Sequence, residues 1–351
     1  MAQEIAEEAR PSEGARMSGF LGRHYALIIL TLAYTSSHID RGIVNIVMQP
    51  IKNEFHVSDT LLGLMSGLAF ALFYATLGVP IAMWADRGNR RNIIALAVTV
   101  WSGMTAACGL AGNFSHLLMA RIGVGIGEAG SSPPSHSMIA DIYPKESRST
   151  AMAFYSVGVY AGAMLGLVVG GFVVQHYGWR MTFFVVGLPG LIIALLVRFT
   201  TKEPVRGHAD GLAHDAALKS NLIHVIVHLW RTKSARHITI GLTLVSFVGY
   251  GALIFGPSFF QRSLGMEPQK VGLIFGLIAG FVGGLGSLIG GYLADRLSKR
   301  DMRWNAWVIA VAKLLGMPLF IVFYSSSNLD LMIPVYIASS ILGAFYLGPS
   351  F

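Results

Sequence analysis

Ten separate stretches of about 20 predominantly apolar residues recur along the chain, and this repetition constrains the fold more than any motif does. They run approximately over 24–48, 60–84, 92–112, 115–140, 150–175, 180–199, 236–260, 270–293, 304–324 and 330–350. Each is long enough to cross a hydrocarbon layer roughly 30 Å thick as a helix. In lipid a spanning segment must satisfy its own backbone hydrogen bonds, which a helix does. Composition agrees: 54% of residues are hydrophobic and 13% charged, against about 25% charged in soluble domains. The 41 glycines suit a helical membrane bundle, whose backbones approach closely where side chains are small. An all-α polytopic membrane protein is expected, and an ordinary soluble enzyme is excluded.

The formal net charge is +8, but the basic residues fall in short clusters between apolar runs, so they read as topology signals rather than as a nucleic-acid surface. With a cytoplasmic N-terminus, Arg10, Arg16, Arg23, Arg87, Arg90, Arg91, Lys145, Arg148, the series from Arg198 to Arg236, Arg296, Lys299, Arg300 and Arg303 fall inside. Lys52, Arg180, Arg262 and Lys270 fall outside. The positive-inside rule therefore orients the chain as a multi-pass protein, expected in a bacterial inner membrane. Residues 1–22, with Glu4, Glu7, Glu8 and Arg10, lack the basic and apolar regions of a cleaved signal peptide and read as a cytoplasmic tail. Residues 23–200 form a six-helix bundle, 201–235 a cytoplasmic linker with an amphipathic stretch over 222–230, and 236–351 a second bundle. The single cysteine, Cys108, excludes an intramolecular disulfide and a cysteine-cluster metal site. No metal or cofactor is expected.

An internal repeat connects the two bundles. The loop after span two reads Ala82-Met-Trp-Ala-Asp86-Arg87-Gly-Asn-Arg90-Arg91, and the loop after span eight reads Gly291-Tyr-Leu-Ala-Asp295-Arg296-Leu-Ser-Lys299-Arg300, 209 positions and six spans later. A carboxylate at a helix end facing clustered arginines can latch neighbouring helices on one side of the membrane. Positive-inside anchoring alone is the simpler reading, and two copies at matching positions favour the latch.

These loops resemble the major facilitator superfamily signature G-x-x-x-D-R-x-G-R-R, with Ala82 in place of the first glycine and Gly88-Asn89 shifting the second. Arg121-Ile-Gly123-Val-Gly125-Ile-Gly127-Glu128-Ala129, then Pro133-Pro134 and Asp141, together with Asp40-Arg41 and Gly178-Trp179-Arg180, resemble its Spinster branch. The resemblance covers residues 25–350. It implies a six-helix N-terminal bundle plus an incomplete, four-helix C-terminal bundle, two helices short of the family's twelve, and alternating access around a midplane cavity. It also implies a proton-coupled transporter of an amphipathic lipid, a lysophospholipid or sphingoid phosphate, acting as a monomer. The latch residues would be Asp86, Arg87, Arg90, Arg91, Asp141, Asp295, Arg296 and Arg300.

Charges inside spans mark the transport site. A charged side chain at a helix centre costs roughly 2.5–3.5 kcal/mol on the insertion scale, so one that is retained is a functional candidate. At 1.5 Å per residue Asp40 lies roughly 16 Å below the outer end of span one, while Arg121 and Glu128 lie roughly 9 and 20 Å into span four. Tyr34, His38, Arg41 and Asn45 form a stripe at i, i+4, i+7 and i+11, with Asp40 about 100° round from Arg41. Arg121, Gly125, Glu128 and Ser132 repeat that spacing. Asp40 and Glu128 are the expected protonation sites. Arg41 and Arg121 are their counter-ions and anion contacts, and Tyr34, His38 and Asn45 are neighbouring substrate contacts. An ion-pair network that only holds spans one and four together needs the same residues. Phe70, Phe73 and Tyr74 offer a surface for an acyl chain, and Lys313 either meets an anion or is hydrogen-bonded.

Other signals carry less. Gly123-x-Gly125-x-Gly127 sits inside an apolar helix, not after a strand, so it reads as packing. Gly158, Gly162, Gly166 and Gly170 form a ladder for a neighbouring helix. Pro133-Pro134 frees backbone carbonyls, as a gating hinge or a packing kink. Ser131, Ser132, Ser135, His136 and Glu128 share one helix, with no Gly-x-Ser-x-Gly elbow, and make no hydrolase. Two further functions stay open: a proton-coupled symporter of small organic anions such as sugar acids, and a non-transporting truncated membrane partner.

Overall fold

The computed structural model describes residues 20–207, 227, 230–326 and 328–346. The N-terminal tail and most of the linker, including nearly all of the expected amphipathic stretch, lie outside these residues. Every described element is helical: α1 (Phe20–Phe55), α2 (Asp59–Arg87), α3 (Arg90–Gly109), α4 (Phe114–Glu128), α5 (Ser132–Ile142), α6 (Lys145–Thr200), α7 (Lys233–Ser263), α8 (Pro268–Ser298), α9 (Trp304–Ser325) and α10 (Leu329–Ala344). Within the described residues each expected span falls on helix, span four in two pieces. Six helical runs, α2, α3, residues 150–200 of α6, α7, α8 and α9, are long and apolar enough to cross a membrane. α1 is absent from that set because its polar stripe lowers its mean hydropathy, and span four because it is broken.

Local chemistry sets these boundaries. Asn89 and Asn113 cap α3 and α4, their side chains accepting the amides of Asn92 and His116. Span four breaks over residues 129–131. Pro133 and Pro134 have no amide hydrogen, so the carbonyls of Ala129 and Gly130 cannot receive the usual i+4 donor, and the prolines begin α5, where no donor is needed. Spans five and six run together as α6 and turn at Gly178, whose φ of 80° suits only glycine. One π-helical turn interrupts α2 at Leu64–Leu68 and another interrupts α8 at Ile278–Val282, helices that correspond under the six-span repeat.

The chain divides into two compact units. The first comprises residues 1–40, 55–159 and 180–217. Its core gathers Leu30, Ile94, Val98, Trp101, Val124, Met138, Tyr155 and Val197. The glycines of α4 are packing positions, as expected. A Cβ on Gly127 would lie 2.6 Å from the Trp101 backbone nitrogen, one on Gly123 would overlap Met104, and one on Gly125 would meet the Phe70 carbonyl at 2.9 Å. The second unit comprises residues 41–54, 160–179 and 218–351. There Gly166 lies against Gly42 of α1, and Gly170 against Ile43 and Ile46, so this part of the glycine ladder admits α1. Another face of the same helix receives α8, where Gly272 and Gly276 meet the backbone at Leu167 and Met164.

Candidate functional site

The first unit buries two acids and two arginines. Asp40 and Arg121 are each 1% exposed, and an Arg121 Nη donates to Asp40 Oδ2 at 2.8 Å. Thr105 Oγ1 of α3 donates to the other carboxylate oxygen at 2.7 Å. Phe70 of α2 lies beneath the guanidinium, 5.6 Å from its carbon to the ring centroid. Four helices therefore fix one ion pair. Arg121 Nε has no hydrogen-bond partner among the described residues. Glu128, 1% exposed, lies within Coulombic range of the same guanidinium.

The sequence reading brings Asp40 and Arg121 to overlapping depths, and in the structure they meet. Asp40's guanidinium partner here is Arg121; Arg41, half-buried, begins the second unit, which also holds the buried Asn45. Tyr34 stacks on Tyr155 of α6 with centroids 4.3 Å apart and 11° between planes. His38 packs edge-on to Tyr34 at 4.5 Å, and its Nδ1 is 2.9 Å from the Tyr34 carbonyl. Phe70, expected on an acyl-chain surface, is instead buried against Arg121. Lys313, in the second unit, donates to the Gly343 carbonyl at 2.9 Å and lies 5.0 Å from the Tyr346 ring centroid. Thr105 and Tyr155 carry no sequence signal, because a hydroxyl inside an apolar run is ordinary.

The first repeat loop forms a second buried centre. Arg90 is 1% exposed although it opens α3. Its guanidinium pairs with Asp141 and donates to Glu203 at 2.7 Å, Ser137 at 2.8 Å and the Pro204 carbonyl at 2.9 Å. The other Glu203 oxygen accepts the Arg91 amide at 2.8 Å, and Asp141 accepts the Gly207 amide at 2.9 Å. Arg206 caps the end of α2 by donating to the carbonyls of Ala85, Asp86 and Gly88. Of the expected latch residues, Arg90 and Asp141 are central and Arg91 takes part through its amide. Asp86 and Arg87 are exposed and form no ion pair among the described residues. Glu203 and Arg206, in a segment read as linker, complete the centre. In the second loop Asp295, Arg296 and Arg300 are exposed, and Arg296 donates only to Tyr292 Oη at 3.3 Å among the described residues.

Comparison with known proteins agrees with this architecture. Residues 30–351 match the Major Facilitator Superfamily. An MFS-type efflux pump of Mycolicibacterium smegmatis is 32% identical over 325 residues, covering 93% of this chain and 75% of the pump. Protein spinster homolog 1 of Xenopus tropicalis is 29% identical over 322 residues, 87% of this chain and 61% of that protein. A crystal structure of a bacterial homolog of the human lysosomal transporter Spinster, inward-facing and unoccupied, superposes with a TM-score of 0.84 at 36% identity. It covers 93% of this chain and 74% of its own.

Proposed function

This chain belongs to the Major Facilitator Superfamily, and on that premise we propose that it is a proton-coupled transporter of an amphipathic anion, a lysophospholipid or sphingoid phosphate, by alternating access. The observation that carries this reading is the buried Asp40–Arg121 pair. A guanidinium presents its donors as a planar fork, which suits a carboxylate and a phosphate equally well. Asp40 and a substrate phosphate therefore compete for Arg121. Protonation of Asp40 removes its charge and leaves the guanidinium for the phosphate; loss of that proton restores the internal pair and expels the anion. Glu128, in the field of the same guanidinium, is the second proton-carrying group. Arg41 and the Tyr34, His38 and Asn45 stripe extend the anion-binding surface along α1.

Because proton and anion then bind preferentially to the same conformations, each shifts the population that the other selects. On this reading the N-terminus and the Arg90 centre face the cytoplasm of a bacterial inner membrane, which the distribution of basic residues supports. The lipid assignment draws on the likeness to a Spinster homolog.

Thermal unfolding of the detergent-purified chain tests the reading, since a ligand that binds the folded state raises stability by mass action. A lysophospholipid below its micelle-forming concentration is expected to raise Tm in the wild type and not in Arg121→Ala or Arg41→Ala, with a larger rise in Asp40→Asn, where the competing charge is gone. Stabilisation by small sugar-acid anions alone transfers the function to an organic-anion symporter. A lipid response unchanged by all three variants removes the anion site from these residues.

A further inference from the structure

The break in span four is lined by hydroxyls that the anion site does not use. Ser131 and Ser135 of α5 and its N-cap are 2% and 0% exposed, and Tyr155 of α6 is 0% exposed. The hydroxyl oxygens of all three lack a hydrogen-bond partner of good geometry among the described residues, although the Tyr155 hydroxyl lies within reach of those of Ser132 and Ser135. Buried polar groups are normally partnered, so three in one place point to a ligand. Tyr155 adjoins Ser135 and Tyr74, is stacked by Tyr34 and meets the edge of His136 with centroids 5.2 Å apart. Tyr34 and Tyr74 are half-buried and His136 is exposed, so the residues against the Tyr155 ring are themselves partly accessible.

The chemistry of the break selects the ligand. Pro133 and Pro134 remove the amide donors that a helix start normally offers an anion. They also leave the Ala129 and Gly130 carbonyls without their i+4 donors. A bare phosphate or carboxylate, which only accepts hydrogen bonds, has nothing to gain beside carbonyls. A ligand hydroxyl donates to a carbonyl and accepts from a serine or tyrosine hydroxyl.

We infer that Ser131, Ser135 and Tyr155 form a subsite for a hydroxylated group, a vicinal diol of the glycerol or sugar type, on the same substrate whose anionic group Arg121 holds. This rests on the anion-transport reading and adds the second half of the substrate. The diol belongs either to a lipid headgroup or to a free sugar acid.

The test compares pairs of probes that share an anion and differ in hydroxyls. Dodecanoyl lysophosphatidylglycerol against dodecanoyl lysophosphatidylpropanol, both phosphodiester monoanions, covers the lipid source, and gluconate against hexanoate covers the free one. Apparent Kd values come from the ligand dependence of Tm on the purified full chain. In at least one pair the hydroxylated probe is expected to bind wild type at least about tenfold more tightly, because a site built for a hydroxyl rejects the analogue lacking it. Tyr155→Phe keeps the ring stack, and Ser135→Ala removes one oxygen; each should bring that ratio to within about twofold while leaving the bare anion's affinity unchanged. Which pair responds identifies the source. A wild-type ratio near one in both pairs, including the case where no probe binds, overturns the subsite, and so does a ratio that both variants preserve. Bare anions that bind through Arg121 without any diol preference sink the subsite and leave the anion reading standing. A variant-sensitive diol preference that survives Arg121→Ala does the reverse.

Discussion

The loops after α2 and α8 share an Ala-Asp-Arg core and a closing arginine, and their surroundings are very different. In the first, Arg90 is buried among Asp141, Ser137, Glu203 and the Pro204 carbonyl. The corresponding position 209 residues later is Lys299, which is exposed. A guanidinium can serve four partners in fixed directions, whereas an ammonium is a compact, strongly hydrated charge on a flexible stem. Partners differ as well: Glu203 and Arg206 follow α6, and the counterpart of Asp141, position 350, lies outside the described residues. The motif therefore supplies the means for a latch, and the segments packed around it decide whether one is built.

Removing the fork should have the largest effect. Arg90→Ala leaves Asp141 and Glu203 partly buried without their counter-charge, at a cost of about 3–5 kcal/mol, read as a fall in Tm of the purified protein. Arg90→Lys, which gives the first loop the residue of the second, keeps the charge and should still lose about 1–3 kcal/mol through donors it cannot direct. A lysine variant as stable as wild type would break the comparison. Glu203→Gln comes next. It keeps the shape and removes one carboxylate from two charge-assisted hydrogen bonds, so about 1–2 kcal/mol is expected. Arg206→Ala exposes the terminal carbonyls of α2 to water, which can replace the lost donors, and about 1 kcal/mol is expected. Urea unfolding followed by tryptophan fluorescence orders the four variants.

Legibility in the sequence follows the range of the interaction. The helical stretches are readable because apolar length is local, and the glycine contacts because small residues recur at helical spacing. The overlapping depths of Asp40 and Arg121 follow from the helical rise alone. Which arginine meets Asp40 did not follow, because that depends on how α1 is rotated against α3 and α4, and Thr105 and Phe70 enter by the same packing. Arg90's partners at positions 141, 203 and 204 were half hidden. Asp141 stood in a recognised motif, while Glu203 and Arg206 stood in a Thr-Lys-Glu-Pro stretch that reads as linker until its contacts are seen. Tyr155 was invisible, since a tyrosine in an apolar run gives no sign that its hydroxyl lacks a partner.

The smallest effect is the most informative about the repeat. Lys299→Ala should change stability by no more than about 0.5 kcal/mol, as expected for a surface substitution away from caps and buried networks. Lys299→Arg should be equally silent, because a guanidinium gains nothing without carboxylates placed to receive it. Exposed charges are also screened, so the wild-type and Lys299 variants should respond alike to added salt, whereas the buried Arg90 centre should keep its contribution at high ionic strength. A loss of more than about 1 kcal/mol in Lys299→Ala, or a gain in Lys299→Arg, would mean that the second loop is already engaged as the first is. The two copies would then differ in degree, and arginine at position 90 would no longer explain the contrast.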